Sequence, residues 1–342
     1  MAYTTIDKGS KYFNTITYTG TGSSLANTGV GFQPDWVWIK GRSGATDYAL
    51  YDAVRGVQKD LLTNSTAAET TQTTGLTAFG SDGFTVGALA KLNTSSATYV
   101  AWNWLGANTT VSNTSGSITS TVSANTTAGF SIVTFTYSSG SPTVGHGLGV
   151  APSMVIVKNR TSTANNWLTY HKSMGATKAM YLNSTSAEVT SSVFWNNTAP
   201  TSSVFTVSSN LYSADHVAYC FAEIKGYSKF GSYTGNGSTD GTFVYTGFKP
   251  AMILLKRTDS AGYDWRLLDN KRNTYNVVST VLFPNLVDID LTNSFNYVDF
   301  LSNGFKWKTT GTGSNASGGT YIFMAFAENP FVTSTGIPTT AR

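Results

Sequence analysis

Apolar and polar residues alternate with period two in short runs along this chain, and the runs end in Gly, Asn or Thr. Phe13-Asn14-Thr15-Ile16-Thr17-Tyr18, Phe130-Ser131-Ile132-Val133-Thr134-Phe135-Thr136-Tyr137 and Lys229-Phe230-Gly231-Ser232-Tyr233 have this form, which marks strands with one buried face. A second kind of run is apolar at consecutive positions and follows a Gly-x-x-Pro element. It occurs as Gly31-Phe32-Gln33-Pro34-Asp35-Trp36-Val37-Trp38-Ile39-Lys40, Gly149-Val150-Ala151-Pro152-Ser153-Met154-Val155-Ile156-Val157-Lys158 and Gly247-Phe248-Lys249-Pro250-Ala251-Met252-Ile253-Leu254-Leu255-Lys256. Proline presets its own φ, extends the residue before it and cannot donate to a ladder, so it is expected at a strand's first residue. Trp36 and Trp38 fall on one side of the strand, Val37 and Ile39 on the other. It is therefore predicted to lie centrally between two layers, with Lys40, Lys158 and Lys256 marking its exit to solvent.

Further landmarks keep the same order in each copy. The central run is followed by Tyr48-Ala49-Leu50-Tyr51-Asp52, Trp167-Leu168-Thr169-Tyr170-His171 or Trp265-Arg266-Leu267-Leu268-Asp269. Next come Asn64-Ser65-Thr66-Ala67-Ala68-Glu69 and Asn183-Ser184-Thr185-Ser186-Ala187-Glu188, whereas the third copy has diverged there. A hairpin is read at Ser81-Asp82-Gly83-Phe84 and Ser302-Asn303-Gly304-Phe305, with glycine supplying the positive φ of the turn. Each copy closes on a strand ending in Trp104, Phe221 or Phe326. The pattern predicts an all-β chain of three tandem antiparallel β-sandwich units, lectin-like or jelly-roll-like, derived from an internal triplication. The units span 1–106, 128–226 and 227–342. Residues 107–127, rich in Ser, Thr and Asn, are read as a linker or loop, and residues 52–62 as the one possible short helix.

Composition narrows the function classes. Charged residues are 12% of the 342, about half the usual share. Twenty-two Lys and Arg against eighteen Asp and Glu leave a net charge of +4, spread without a basic block, which argues against a nucleic-acid partner. The single cysteine, Cys220, aligns with Ala325 and excludes a disulfide framework; it is expected to be small and buried. No window is long and apolar enough for a membrane-spanning helix, and Met1 to Lys8 does not read as a secretory signal, so no membrane insertion is expected.

Catalytic, cofactor and metal sites are not legible. His146, His171 and His216 occupy different parts of the repeat and lack metal-ligand spacing. Asp52, Glu69 and Asp82 are the only carboxylates whose landmark positions would suit a glycosidase pair. Binding chemistry is better supplied, since aromatic side chains make up 13% of the chain and sugars are held by aromatic faces and amide hydrogen bonds. Trp36, Trp38, Trp102, Trp104 and Trp265 occupy positions that are apolar in the sister copies and read as core. Trp195, in the stretch Val193-Phe194-Trp195-Asn196-Asn197 without a counterpart, is the leading candidate for an exposed contact aromatic, and Tyr263 and Tyr275 are candidates of the same kind.

The run Gly31 to Lys40, followed by Leu50-Tyr51-Asp52-Ala53-Val54-Arg55-Gly56, Ser81-Asp82-Gly83-Phe84 and Tyr99-Val100-Ala101-Trp102, resembles a repeat of virion and tail-fibre-like proteins from tailed phages of marine bacteria. Met1-Ala2-Tyr3-Thr4-Thr5-Ile6 and Ala327-Glu328-Asn329-Pro330-Phe331 carry the resemblance to both ends. It implies a non-enzymatic virion structural protein made in the host cytoplasm, most simply a tail fibre or receptor-binding component. Its expected partners are other virion subunits and a host cell-surface glycan, in a homo-oligomer for which a trimer is favoured. A capsid or tail decoration protein is the alternative, and a polysaccharide depolymerase using Asp52, Glu69 and Asp82 the third.

Overall fold

In a computed structural model, residues 4–330 and Val332 are described. These residues are predominantly β and form several sheets in which every strand pair is antiparallel. The helices are single turns: Ala90–Asn93, Ser192–Trp195 and Thr312–Asn315 are the α-helical ones. No described helix is long and apolar enough to cross a membrane.

The strand that follows each Gly-x-x-Pro element is central, as the double-sided apolar pattern requires. Trp36–Gly41 lies between Thr98–Trp104 and Ala49–Asp52, with Phe13–Thr19 on the far side of Thr98–Trp104. Met154–Asn159 lies between Ala214–Phe221 and Leu168–His171, flanked by Phe130–Tyr137. Lys249–Arg257 lies between Thr320–Asn329 and Arg266–Asp269, flanked by Ser228–Thr234. Pro34 and Pro152 stand two residues before their strands, whereas Pro250 lies inside its strand at a register shift. There the missing N–H falls where the ladder is already interrupted.

Alternation along these strands divides their side chains between two sets of cores. Trp36, Trp38, Met154, Ile156, Met252 and Leu254 all enter one cluster, together with Phe13, Trp102, Phe130, Tyr219, Phe230 and Phe326. The intervening residues face elsewhere: Val37 and Ile39 meet Phe84 and Val86, Val155 and Val157 meet Phe205 and Val207, and Ile253 and Leu255 meet Phe305 and Trp307. Ring contacts tie distant parts of the shared cluster. Trp36 lies 5.0 Å from Tyr219, and Phe13 is stacked 5.0 Å from Phe326. Each large side chain fully removed from water stabilises the fold by about 1.5–3 kcal/mol, so the shared cluster outweighs any single polar contact.

Two readings of the sequence are corrected, and a third is refined. Residues 107–127 are not a linker, because Val111–Asn113 and Ser120–Asn125 add two strands to the edge of the sheet containing Phe130–Tyr137. Alternating Val, Ser and Ala in a Thr-rich stretch suffices for a strand once a neighbouring edge offers its backbone groups. Residues 52–62 form a turn and the strand Lys59–Leu62 instead of a helix. The hairpins at Ser81-Asp82 and Ser302-Asn303 are present, but only Gly83 has the expected positive φ, and a close approach fixes both glycines. A Cβ on Gly83, whose φ is +149°, would stand 1.9 Å from the Asn27 carbonyl oxygen, and one on Gly304 would stand 2.2 Å from that of Val244. A third strand passes too close for any side chain.

Candidate functional site

Lys40, Lys158 and Lys256 do not leave the fold; all three are fully buried. Each is the next-to-last residue of a central strand and turns its ammonium onto backbone carbonyls, one of which lies far along the chain. Lys40 donates to Val287 at 2.9 Å, Lys158 to Thr66 at 2.8 Å, and Lys256 to Thr185 at 3.3 Å. Lys158 and Lys256 also hold local loops, through the carbonyls of Asn165 and Tyr263, each at 2.5 Å. Burial pushes each of the three ammonium groups down to about 8.

The carbonyls that receive them sit in loops opened by an asparagine. Asn64 Oδ1 accepts from the N–H of Tyr48, Asn183 from Trp167 and Asn285 from Trp265, at 2.8, 2.9 and 2.9 Å. The loop from Asn285 is therefore the counterpart that looked diverged. Its sequence Asn-Leu-Val-Asp-Ile-Asp keeps the Asn and an acid five residues later, matching Glu69 and Glu188. The backbone N–H groups of Glu69, Glu188 and Asp290 each donate across to a carbonyl following a buried lysine, at Arg160, Thr258 and Arg42 respectively. Two of these crossings add ion pairs, Arg160 with Glu69 and Arg42 with Asp290, and Thr258 leaves the remaining one without.

The carboxylates weighed for hydrolysis are held within the structure. Asp52 is fully buried and accepts from Arg55 and, at 2.7 Å, from the Tyr219 hydroxyl. Glu69 accepts from Arg55 and twice from Arg160, and Asp82 from the N–H groups of Gly29 and Gly31. A general acid needs a raised pKa. Glu69 is instead lowered, because the two arginines outweigh the effect of its burial, and Asp82 is lowered by its two backbone donors. His146, His171 and His216 are buried, and burial pushes all three down, His171 to about 4. Among the described residues no group of His, Cys, Asp and Glu is placed to hold a metal ion.

Of the candidate contact aromatics, Trp195 is corrected by its position. It is buried, its ring stands edge-on to Tyr170, and its Nε1 donates to the Lys178 carbonyl. Asn196 and Asn197, with φ of 49° and 51°, reverse the chain directly after it. The polar neighbours are the turn that aims Trp195 inward. Tyr263 is half-buried, with the Arg257 guanidinium 4.6 Å from its ring centre. Tyr275 is 84% exposed and borders a hollow with Asn273 and Phe300.

A further hollow, of about 210 Å³, escaped the sequence reading. Asn165, Asn166, Tyr181, Asn210, Leu211 and Tyr212 line it with amides and phenols. Tyr212 is 62% exposed and has φ 58° and ψ 152°, a backbone conformation that is an outlier for a bulky residue. Neither the asparagines nor the tyrosines carry a motif, and only the density of Asn near 159–166 hinted at a site.

The family model described as Domain of unknown function (DUF7483) matches residues 8–330. No curated protein matches the chain.

Proposed function

The chain belongs to the DUF7483 family, and we propose that it is a non-enzymatic bacteriophage virion protein, a tail-fibre or receptor-binding component that contacts host surface glycans. In this reading it consists of three β-sandwich modules produced by an internal triplication, with 107–127 belonging to the second. The supporting observation is the cyclic order of the lysine contacts. The first copy's Lys40 reaches the third, the second's Lys158 reaches the first, and the third's Lys256 reaches the second.

Such a ring makes one stiff body of three modules, which suits a part that bears load on a particle. Many copies on one virion would turn weak sugar contacts into firm attachment, since linked sites raise effective concentration. The virion assignment itself draws on the resemblance of the repeat to phage structural proteins. A glycan array probed with the full chain, together with antibody labelling of phage particles, tests it. Glycan binding and labelled tails support the reading, while an unlabelled particle removes it.

One observation favours the decoration alternative. Phe243–Tyr245 forms the edge of its sheet, and Phe243 and Tyr245 are 43% and 60% exposed. An unpaired edge with apolar side chains suits pairing with a neighbouring subunit. The homo-oligomer expected from the sequence would use the same edge.

A further inference from the structure

The second copy of the repeat differs from the others at one strand position. Tyr99 and Tyr321 stand in register with Gly41 and Arg257, and His216 takes the same place opposite Asn159. The two tyrosine hydroxyls pin a helical turn by donating to the carbonyls of Ala90 and Thr312, at 3.0 and 2.7 Å. His216 is shorter, and its Nε2 lies 2.9 Å from the Leu211 carbonyl. Asn159 Nδ2 donates to that same carbonyl at 3.2 Å. The turn Ser209–Leu211 is thus held from two sides, and Tyr212 emerges from it in its outlying conformation. Strain of this kind persists only where the surroundings fix it, and it concentrates at ligand contacts.

The hollow beneath Tyr212 is supplied with unused hydrogen-bonding capacity. Asn165 is more than nine-tenths buried and lines the hollow; its side-chain amide has no hydrogen bond to the protein, and its polar atoms are not sealed from solvent. Its backbone carbonyl accepts from Lys158. Asn166 Oδ1 accepts from Asn183, which leaves its NH₂ group available. Tyr181 and Asn210 both line the hollow, and burial raises the Tyr181 hydroxyl. A ligand hydroxyl would take the place of water on these amides and keep their hydrogen bonds. None of the lining residues carries a charge, so the site has nothing to neutralise a carboxylate, sulfate or phosphate.

We propose that this hollow is a subsite for one neutral sugar ring, hexose or N-acetylhexosamine, with Tyr212 against its C–H face and Asn165, Asn166 and Asn210 on its hydroxyls. The assignment rests on the adhesive reading above and gives that reading a place. It also makes the second module the binding one, with the first and third as support.

Saturation-transfer NMR on the full chain tests it, with glucose, galactose, mannose and N-acetylglucosamine as neutral probes and glucuronate as the charged one. At least one neutral probe should receive transfer, and glucuronate should bind at least tenfold more weakly than glucose. Tyr212→Gly removes the ring while relieving the backbone, so it should fold at least as well as the parent and lose transfer by tenfold or more. Asn165→Ala should lose it too. No transfer to any neutral probe, stronger binding of glucuronate, or unchanged transfer to both variants overturns the assignment. On a glycan array the two readings separate: equal binding by the parent and Tyr212→Gly removes the subsite and keeps the adhesin, whereas a parent that binds no glycan removes both.

Discussion

The Lys158 ammonium donates at 2.8 Å to the carbonyl of Thr66, 92 residues earlier in the chain. A buried cation is thereby joined to the same loop that Glu69 ties to Arg160. Lys158→Ala removes the donor from both Thr66 and Asn165 and leaves a cavity. A loss of about 2–4 kcal/mol is expected from stranded carbonyls and lost packing. Urea denaturation checks it, and a change below about 0.5 kcal/mol would show that the contact is incidental.

The buried lysines give stability a pH dependence of unusual sign. Their folded pKa values stand at about 8 against an ordinary 10.5, the cause being burial. Between those values the unfolded chain binds more protons than the folded one, so stability rises with pH across that window. Below pH 8 the cost of burying the charges is fully present. Above pH 10 the buried hydroxyls of Tyr219, Tyr227 and Tyr233, raised by burial, oppose the rise, because unfolding frees them to ionise. The urea midpoint should therefore be higher at pH 9.5 than at pH 7.5. A midpoint that falls over this interval contradicts the buried placement of the lysines.

Asp52 with Arg55 and Asp269 with Arg272 are fully buried pairs, and the second copy carries His171 and Met174 at the corresponding positions. Both charges of a pair are thus absent together. Arg55→Met alone strands Asp52 and should cost about 3–5 kcal/mol. Combining it with Asp52→His should restore much of that loss, since no unpaired carboxylate then remains. Additive losses in the double variant would show that the charges act separately.

Trp195→Ala is expected to destabilise the chain by about 3–5 kcal/mol, as for other large aromatic residues removed from a core. An unchanged melting temperature would return Trp195 to the surface, where its polar neighbours had suggested it lies.

The central strands and hairpins were legible because each is a local pattern: apolar residues on both faces, or a two-residue turn before glycine. The lysines were misread because a lysine ending an apolar strand usually reaches water. Here its acceptors are carbonyls of Thr66, Thr185 and Val287, and a carbonyl leaves no mark on the sequence. A weak signal did exist, since Asn64, Asn183 and Asn285 each precede an acid by five positions. The sugar subsite was illegible for a different reason. It depends on the conformation of Tyr212 and on asparagines that packing gathers around one hollow.

Three central strands of one sequence pattern share a single core, and three buried lysines lock them into one body. Scanning calorimetry of the full chain tests this most directly. A shared core predicts one transition with a calorimetric to van't Hoff enthalpy ratio of about 1. Separate transitions, or a ratio of about 3, would mean that the modules unfold independently, and the locked body would be contradicted.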